Sequence, residues 1–424
     1  MRKRIIVFVM ITMIFAVVFA GGAREEKGPV ELNWYAHQST FNNTQEQIIA
    51  EFNKEYPNIQ VNLIELPENT TDKLQALLIA LRSGDNSIDF FNADVTWTPV
   101  FAASGLIENL DEKFPASEQK AFLPSTIDAA TYDGHVWGIP FRTDAGVLYY
   151  RKDLLSKYNK PVPTTWEELK DTALEIVTAE KAAGNEMYGL AGSMKQYEGL
   201  TCNAVEWFYS NGGSVIDEKG NININSPNNV EILSLIREMV ELELFPSGVL
   251  SYGSGDARAS MFQGNQVFLR AWPKAYALSM NPDNSSVVDL LGVAELPKGP
   301  NGTRGHSTLG GWQLFLSKNS TNKEASLKFM KFYSSEYAMR LHAINDSYLP
   351  ARRSLYSDSE VLAANPFFGM IEDVLTNAVP RPKSPFYAEI SAIIQVEVQN
   401  ALNGNKTVEQ ALADAQTEME KIDK

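Results

Sequence analysis

Two tryptophans, two aspartates and one arginine stand in this chain where a ligand could use them. Trp272, in Ala271-Trp272-Pro273, and Trp312, after Gly310-Gly311, each leave or enter a strand-like run beside a turn residue. An indole so placed can cover the apolar face of a pyranose ring. The alternative for any tryptophan is core packing, which is the reading for Trp34, Trp166 and Trp207. Asp144 lies at the mouth of an apolar run, Ala145 to Tyr150, that is entered from Pro140 and left into Arg151-Lys152-Asp153. A carboxylate there either caps a neighbouring element or waits for a ligand, because an unpaired buried charge is expensive; the local residues slightly favour capping. Arg381 sits between Pro380 and Pro382, which restrict its backbone. Its planar fork suits vicinal hydroxyls, and a solvated loop arginine is the plainer reading. Aromatic faces together with planar carboxylates and guanidinium groups are what carbohydrate recognition needs. The same acidic residues could instead flank a glycosidic bond as acid and base, so a secreted glycoside hydrolase is the competing class. Other chemistry has little support. The four histidines, His37, His135, His306 and His342, lack metal-ligand spacing, no phosphate-cradling glycine loop or Gly-x-Ser-x-Gly elbow occurs, and Gly253-Ser254-Gly255 is a short turn.

The elements that must hold these residues follow from periodicity. Leu32 to Tyr35 predicts a strand, and after the polar loop His37 to Thr44 a helix carries Ile48, Phe52 and Tyr56 on one face until Pro57. Ile59, Val61 and Leu63 alternate as a strand; Leu74, Leu77, Leu78 and Leu81 repeat at helical spacing up to Gly84; Ile88 to Phe91 predicts the next buried strand. That order implies a parallel sheet, whose ligands bind beyond the carboxyl ends of its strands, where Asn92-Ala93-Asp94 lies. The apolar run Ala145 to Tyr150 predicts a buried strand crossing the middle of the molecule. Further on, Thr165 and Glu168 have capping-box spacing at a helix start, and Ser226-Pro227 opens another helix with Ile232, Leu235, Ile236 and Met239 inward. Pro297 to Thr308 is a return connection before the strand Trp312 to Leu316. Lys323 to Tyr333 is an amphipathic helix, and Ala388 to Ile422 is helical with a break at Asn403-Gly404-Asn405.

The chain opens with Arg2, Lys3 and Arg4 and an uncharged apolar run from Ile5 to Ala20, short for a membrane span and followed by small residues. This predicts a secretory signal peptide, residues 1–20. The only cysteine, Cys202, is far from that site, so a mature protein that is periplasmic or at the cell surface without a lipid anchor is expected, with no internal disulfide. Losing the three basic residues takes the formal charge from -15 to -18, which argues against nucleic acid or an anionic membrane as partner. Roughly 400 mature residues exceed the ~250–300 that one core serves, so two lobes are expected, joined by strands since no flexible linker occurs.

The string Phe141-Arg142-Thr143-Asp144-Ala145-Gly146-Val147-Leu148-Tyr149-Tyr150-Arg151-Lys152-Asp153 resembles the hinge strand of the solute-binding proteins that feed sugars to ABC importers, with the trehalose/maltose-binding branch nearest. The resemblance continues through Lys195-Gln196-Tyr197-Glu198-Gly199-Leu200, Tyr209-Ser210-Asn211-Gly212-Gly213-Ser214, Leu309-Gly310-Gly311-Trp312 and Ala378-Val379-Pro380-Arg381-Pro382. It implies an α/β, two-lobed periplasmic-binding-protein (Venus-flytrap) fold with hinge strands. It also implies an N-terminal lobe of residues 28–143 plus 306–350, a C-terminal lobe of 144–305 plus 351–424, and capture of a small ligand by closure. The function implied is the substrate-binding component of an ABC importer taking a small oligosaccharide, an α-glucoside disaccharide such as trehalose or maltose. The partner is then the permease's transmembrane subunits, and the protein acts as a monomer without catalysis, metal or cofactor. An adhesin or chemoreceptor partner is a third reading.

By that resemblance Trp272 and Trp312 stack on sugar, Asp94 and Asp144 bind hydroxyls, and Arg381 is the pocket arginine. Gly311 lets backbone approach the ligand, and Tyr197 and Glu198 open a helix facing the cleft. The chain also departs from the branch. Asn42 and Asn43 stand where a pocket carboxylate is expected, Arg142 and Lys274 where tyrosines are, and Lys73 near an expected arginine. One subsite is then more basic, and an anionic sugar derivative becomes an alternative ligand.

Overall fold

Val30–Ala36 pairs in parallel with Ile59–Glu65 and with Phe90–Asp94, so the opening strand and helix alternation folds as its periodicity predicts. The computed structural model describes residues 28–37, 42–217 and 219–422; the expected signal peptide lies outside them. Helix Thr44–Glu55 buries Ile48 and Phe52, and helix Thr70–Arg82 buries Leu74, Leu77, Leu78 and Leu81. The second helix begins where the Asn69 side chain accepts from the Thr71 and Asp72 amides, satisfying donors that a helix start leaves free.

Beyond these three strands the sheet becomes antiparallel. Leu309–Leu316 inserts between Phe90–Asp94 and Gly138–Ala145, antiparallel to both, and Leu349–Pro350 closes the edge beside Gly138–Ala145. A late strand has thus entered the middle of an early sheet. Arg142 faces Trp312, and Trp312 faces Asp94, in one row across three strands. A second, four-stranded sheet runs Leu291–Ala294, Val147–Arg151, Gln266–Ala271, Tyr188–Ala191.

The apolar stretch expected as one crossing strand is two strands in two sheets, Gly138–Ala145 and Val147–Arg151, with Gly146 at the passage. A Cβ on Gly146 would lie 2.1 Å from Glu206 Oε1 and 2.5 Å from Arg270 Nη2, so only glycine lets the backbone pass this ion pair. Two more passages run beside it. Ser307 Oγ donates to the Gly146 carbonyl at 2.6 Å, Thr308 N donates to Glu206 Oε1 at 3.2 Å, and Leu309 N donates to the Val379 carbonyl at 2.7 Å. Three strands of connection, near residues 146, 307 and 379, therefore lie side by side around one buried carboxylate.

The hydrophobic residues form two clusters. Trp34, Phe90, Phe91, Phe315 and Phe329 belong to the first, which also takes in Leu355, Phe368 and Ile371. Trp166, Leu190, Phe208, Ile236 and Val267 belong to the second, together with Ile394 and Val398 from helix Tyr387–Leu402 and Leu412 and Met419 from helix Val408–Ile422. Trp34, Trp166 and Trp207 are buried, as core tryptophans should be. The Thr165 and Glu168 capping box is formed, and Ser226 caps the helix that Pro227 opens. On that helix Leu233 is fully buried and Leu235 only partly. Among the described residues no helix is long and apolar enough to cross a membrane.

A candidate ligand cavity between the two sheets

A cavity of about 500 Å³ opens between the sheets, lined from one side by Asp94, Arg142, Asp144 and Trp312 and from the other by Tyr197, Glu198, Arg258, Trp272 and Lys274. Its volume falls within the ~300–1,000 Å³ of small-molecule sites. Of the residues singled out from the sequence, Asp94, Arg142, Asp144, Tyr197, Trp272, Lys274, Gly311, Trp312 and Arg381 all line it. Asn43 does not. It is exposed, with φ 52°, ahead of helix Thr44–Glu55, and its side chain makes no capping bond. The expected amide of the pocket therefore points to a loop instead. Asn42 is drawn away too, donating through Nδ2 to the Asn345 carbonyl.

Asp94 ends its strand and caps the short turn Val95–Trp97: its Oδ1 accepts from Thr96 N at 3.0 Å and Thr96 Oγ1 at 2.8 Å. The same oxygen accepts from Arg381 Nη2 at 2.9 Å, while Oδ2 accepts no bond among the described residues. Asp144 caps nothing, contrary to the slightly favoured reading of its position. Its nearest partner is Arg142 Nε, 3.2 Å from Oδ2. Burial raises the Asp144 carboxyl, and the charges of Arg142 and Lys274 oppose that. Both carboxylates thus keep accepting capacity toward the cavity.

Arg381 is not a solvated loop arginine. It is buried and links the end of strand Phe90–Asp94 to the start of helix Glu198–Ser210, donating through Nη2 to Asp94 and through Nη1 to Glu198 Oε1. Glu198 is engaged on both oxygens: Tyr387 Oη also donates to Oε1, and Ser391 Oγ donates to Oε2 at 2.6 Å. Burial pushes this carboxyl up although Arg381 pulls it down. Glu198 therefore positions Arg381 rather than meeting a ligand. Tyr197 is similarly engaged, its hydroxyl 3.0 Å from Ser254 Oγ and accepting from Ser254 N at 2.9 Å.

The indoles are held by their surroundings. Trp272 lies with the Arg270 guanidinium carbon 4.3 Å from its ring centroid, and Arg270 is itself paired through Nε to Glu206 Oε2 at 2.7 Å. Its ring edge packs where a Gly310 Cβ would be, 3.0 Å from Cζ3. Gly311 has φ +144°, and a Cβ there would meet the Arg142 carbonyl at 2.9 Å. The glycine pair thus serves close packing of Trp272 and an extended backbone that side chains rarely adopt. Trp312 is edge-on to His37 at 3.9 Å and to Trp97 at 5.7 Å. Lys73 Nζ and the Arg142 guanidinium stand 5.3 and 5.7 Å from its ring, within cation–π range.

Several lining residues carry no signal that spacing reveals. Arg258 enters from helix Ser254–Phe262, Tyr348 from the turn before Leu349, and His37 from the end of the first strand. Burial and then the charges of Lys73, Arg142 and Lys274 push His37 well below its ordinary value, so it is neutral. Arg142 lies 4.1 Å over the Tyr348 ring. Cys202 also lines the cavity, with burial pushing its thiol up to about 12, which leaves it unreactive. Among the described residues no cluster of three or more metal-ligating side chains occurs.

A family model described as "Bacterial extracellular solute-binding protein" matches residues 37–339. A probable ABC transporter-binding protein of Deinococcus radiodurans is 38% identical over 325 residues, 76% of each chain. Among solved structures, maltose-bound MalE3 of T. maritima is 35% identical with a TM-score of 0.88, covering 93% of this chain and 100% of that one. A Thermotoga lettingae solute-binding protein bound with α-D-tagatose is 26% identical with a TM-score of 0.84, covering 93% and 99%.

Proposed function

The chain belongs to the bacterial extracellular solute-binding proteins, and from that premise we propose that it captures a small oligosaccharide, an α-glucoside of disaccharide size, for an ABC importer. The family is one of binding proteins, so the competing hydrolase reading falls. The observation that carries the sugar reading is the pairing of two indoles, Trp272 and Trp312, with two incompletely used carboxylates, Asp94 and Asp144, in one cavity. Rings stack on the first, and hydroxyls donate to the second. The maltose bound by MalE3 supports a glucoside; the tagatose bound by the T. lettingae protein keeps a monosaccharide in the test.

In this reading residues 28–143 with 306–350 form one lobe and 144–305 with 351–424 the other, save that Leu355, Phe368 and Ile371 pack in the first cluster, which carries the boundary on to the passage at Val379. The passages at Gly146, Ser307 and Val379 then act as the hinge, and closure buries the ligand before docking to the permease. Export is carried by the signal-like stretch Arg2 to Ala20. Titration calorimetry on protein freed of co-purified solute by unfolding and refolding tests the proposal. Micromolar or tighter binding of maltose, trehalose or a derivative, abolished by Trp312→Ala and by Asp144→Ala, is the expected result. Heat with monosaccharides alone would refute the disaccharide assignment, and no heat with any saccharide would refute the substrate class.

A further inference from the structure

We infer that the saccharide bound here carries an anionic group, a phosphate ester or a carboxylate, which Lys73, Arg142, Arg258 and Lys274 receive; this rests on the carbohydrate reading above. Four cations crowd one part of the cavity, where few of the lining carboxylates pair with them. Besides Arg381, which is used by Asp94 and Glu198, and the exposed Lys195, these four cations line the cavity. The remaining lining carboxylates do not match them. Asp346 is paired with His342 at 2.8 Å, Asp256 accepts from the Gly253 amide at the start of its own helix, and Glu68, whose charge reaches Lys73 and Arg258, is exposed. Of the buried lining carboxylates, Asp144 alone ion-pairs with one of the four, Arg142, among the described residues.

The hydrogen-bond inventory agrees. The Arg258 and Lys274 side chains join no salt bridge and donate no hydrogen bond among the described residues; burial lowers both, against the Glu68 carboxylate at Arg258 and together with the neighbouring cations at Lys274. Lys73 spends one donor on the Glu68 carbonyl at 3.1 Å, and Arg142 Nε is buried without a hydrogen bond. Ammonium and guanidinium donors collected in a partly dehydrated space with few acceptors are costly unless an anion joins them. A neutral sugar offers hydroxyl acceptors but no charge. A phosphate or carboxylate offers both, and the guanidinium forks of Arg142 and Arg258 match it geometrically. Burial, then the neighbouring cations Arg258, Arg142 and Lys73, push Lys274 down to about 7, and burial then Arg142 push Lys73 to about 8. Glu68 and Asp94 at Lys73, and Asp144 at Lys274, oppose this only in part.

The test compares matched ligands by calorimetry on the refolded protein: trehalose 6-phosphate against trehalose, maltobionate against maltose, and inorganic phosphate alone. At least one charged saccharide should bind on the order of 30-fold more tightly than its neutral counterpart. That advantage should shrink between about 50 mM and about 500 mM salt. A preference confined to the ester assigns phosphate, and one confined to maltobionate assigns carboxylate; either supports the inference. Lys274→Met should lower the charged ligand's affinity by about tenfold with the circular dichroism spectrum retained; unchanged affinity would remove Lys274 from the receiving set. Neutral saccharides binding as tightly as charged ones, without salt dependence, overturn the inference and leave the carbohydrate reading standing. Inorganic phosphate binding as tightly as the ester would also overturn it, since no saccharide would be needed. Binding of none of the five overturns both.

Discussion

Two charged regions meet in this cavity, and they differ in how fully their hydrogen bonds are met. Along the seam between the sheets, Arg381 holds Asp94 and Glu198, Glu198 also accepts from Tyr387 and Ser391, and Arg270 grips Glu206 through two nitrogens. On the basic wall, Arg142 meets Asp144 and the Tyr348 ring, Lys73 donates to the Glu68 carbonyl, and Arg258 and Lys274 join no ion pair among the described residues. A buried charge held between such partners resists change, because removing one strands the other, even though Arg381 Nε and Arg270 Nη1 make no bond among the described residues. One that is not bonded waits for a partner from outside. The comparison separates residues that build the cleft from residues that use it, a distinction that cavity lining alone does not make.

The seam should break hardest. Arg381→Ala leaves Asp94 and Glu198 buried without their shared cation, and a loss of about 3–5 kcal/mol in urea unfolding is expected. A loss below about 1 kcal/mol would mean that the clamp adds little to the fold and would erase the contrast. Gly146→Ala attacks the neighbouring pair sterically, since its methyl would lie 2.1 Å from Glu206 Oε1. Overpacking of this kind costs about 1–3 kcal/mol, read as a lower urea midpoint with unchanged secondary structure. Wild-type stability in that variant would show that the chain passes the pair with room to spare.

Much of this was legible before any coordinates. Period-2 and helical patterns marked the first three strands and their helices, and the caps at Thr165 and Ser226 were visible as residue pairs at fixed spacing. The cavity residues recognised from the sequence came largely through family resemblance, because nothing local distinguishes Arg381 in its proline frame from a loop arginine. What stayed hidden depends on tertiary meeting. Asp144 and Arg142 share a strand face, yet Asp144 could be called a cap until Gly310 and Trp312 were seen opposite them. Arg258 lies on a helix with ordinary surface spacing, and only the fold turns it inward. Asn43 failed for the reverse reason: a loop register that a short deletion or insertion can shift is not readable from composition. The break of the central stretch at Gly146 is not legible in the sequence, because an apolar run carries no mark of where one sheet ends and the next begins.

The smallest expected effect concerns the wall itself and has a sign that distinguishes the two regions. Lys274 has a folded value of about 7 against an ordinary 10.5, so in the ligand-free protein the unfolded chain holds more protons between those limits. Stability from this group is therefore lowest below about pH 7 and rises as pH climbs toward 10.5. Lys73 contributes in the same direction from about 8. The groups that face Lys274 are Arg258, Arg142, Lys73 and Asp144. The arginines do not titrate here, and Lys73 is common to both proteins, so the difference between wild type and Lys274→Met isolates one amine. At pH 6.5 the variant should melt roughly 1–3 °C higher than wild type, and the gap should close by pH 10. A gain in stability from deleting a cavity cation, set beside the loss from deleting Arg381, would mean that this lysine is retained for binding and against folding. If the variant instead melts lower at pH 6.5, Lys274 has a partner in the folded chain and belongs with the seam.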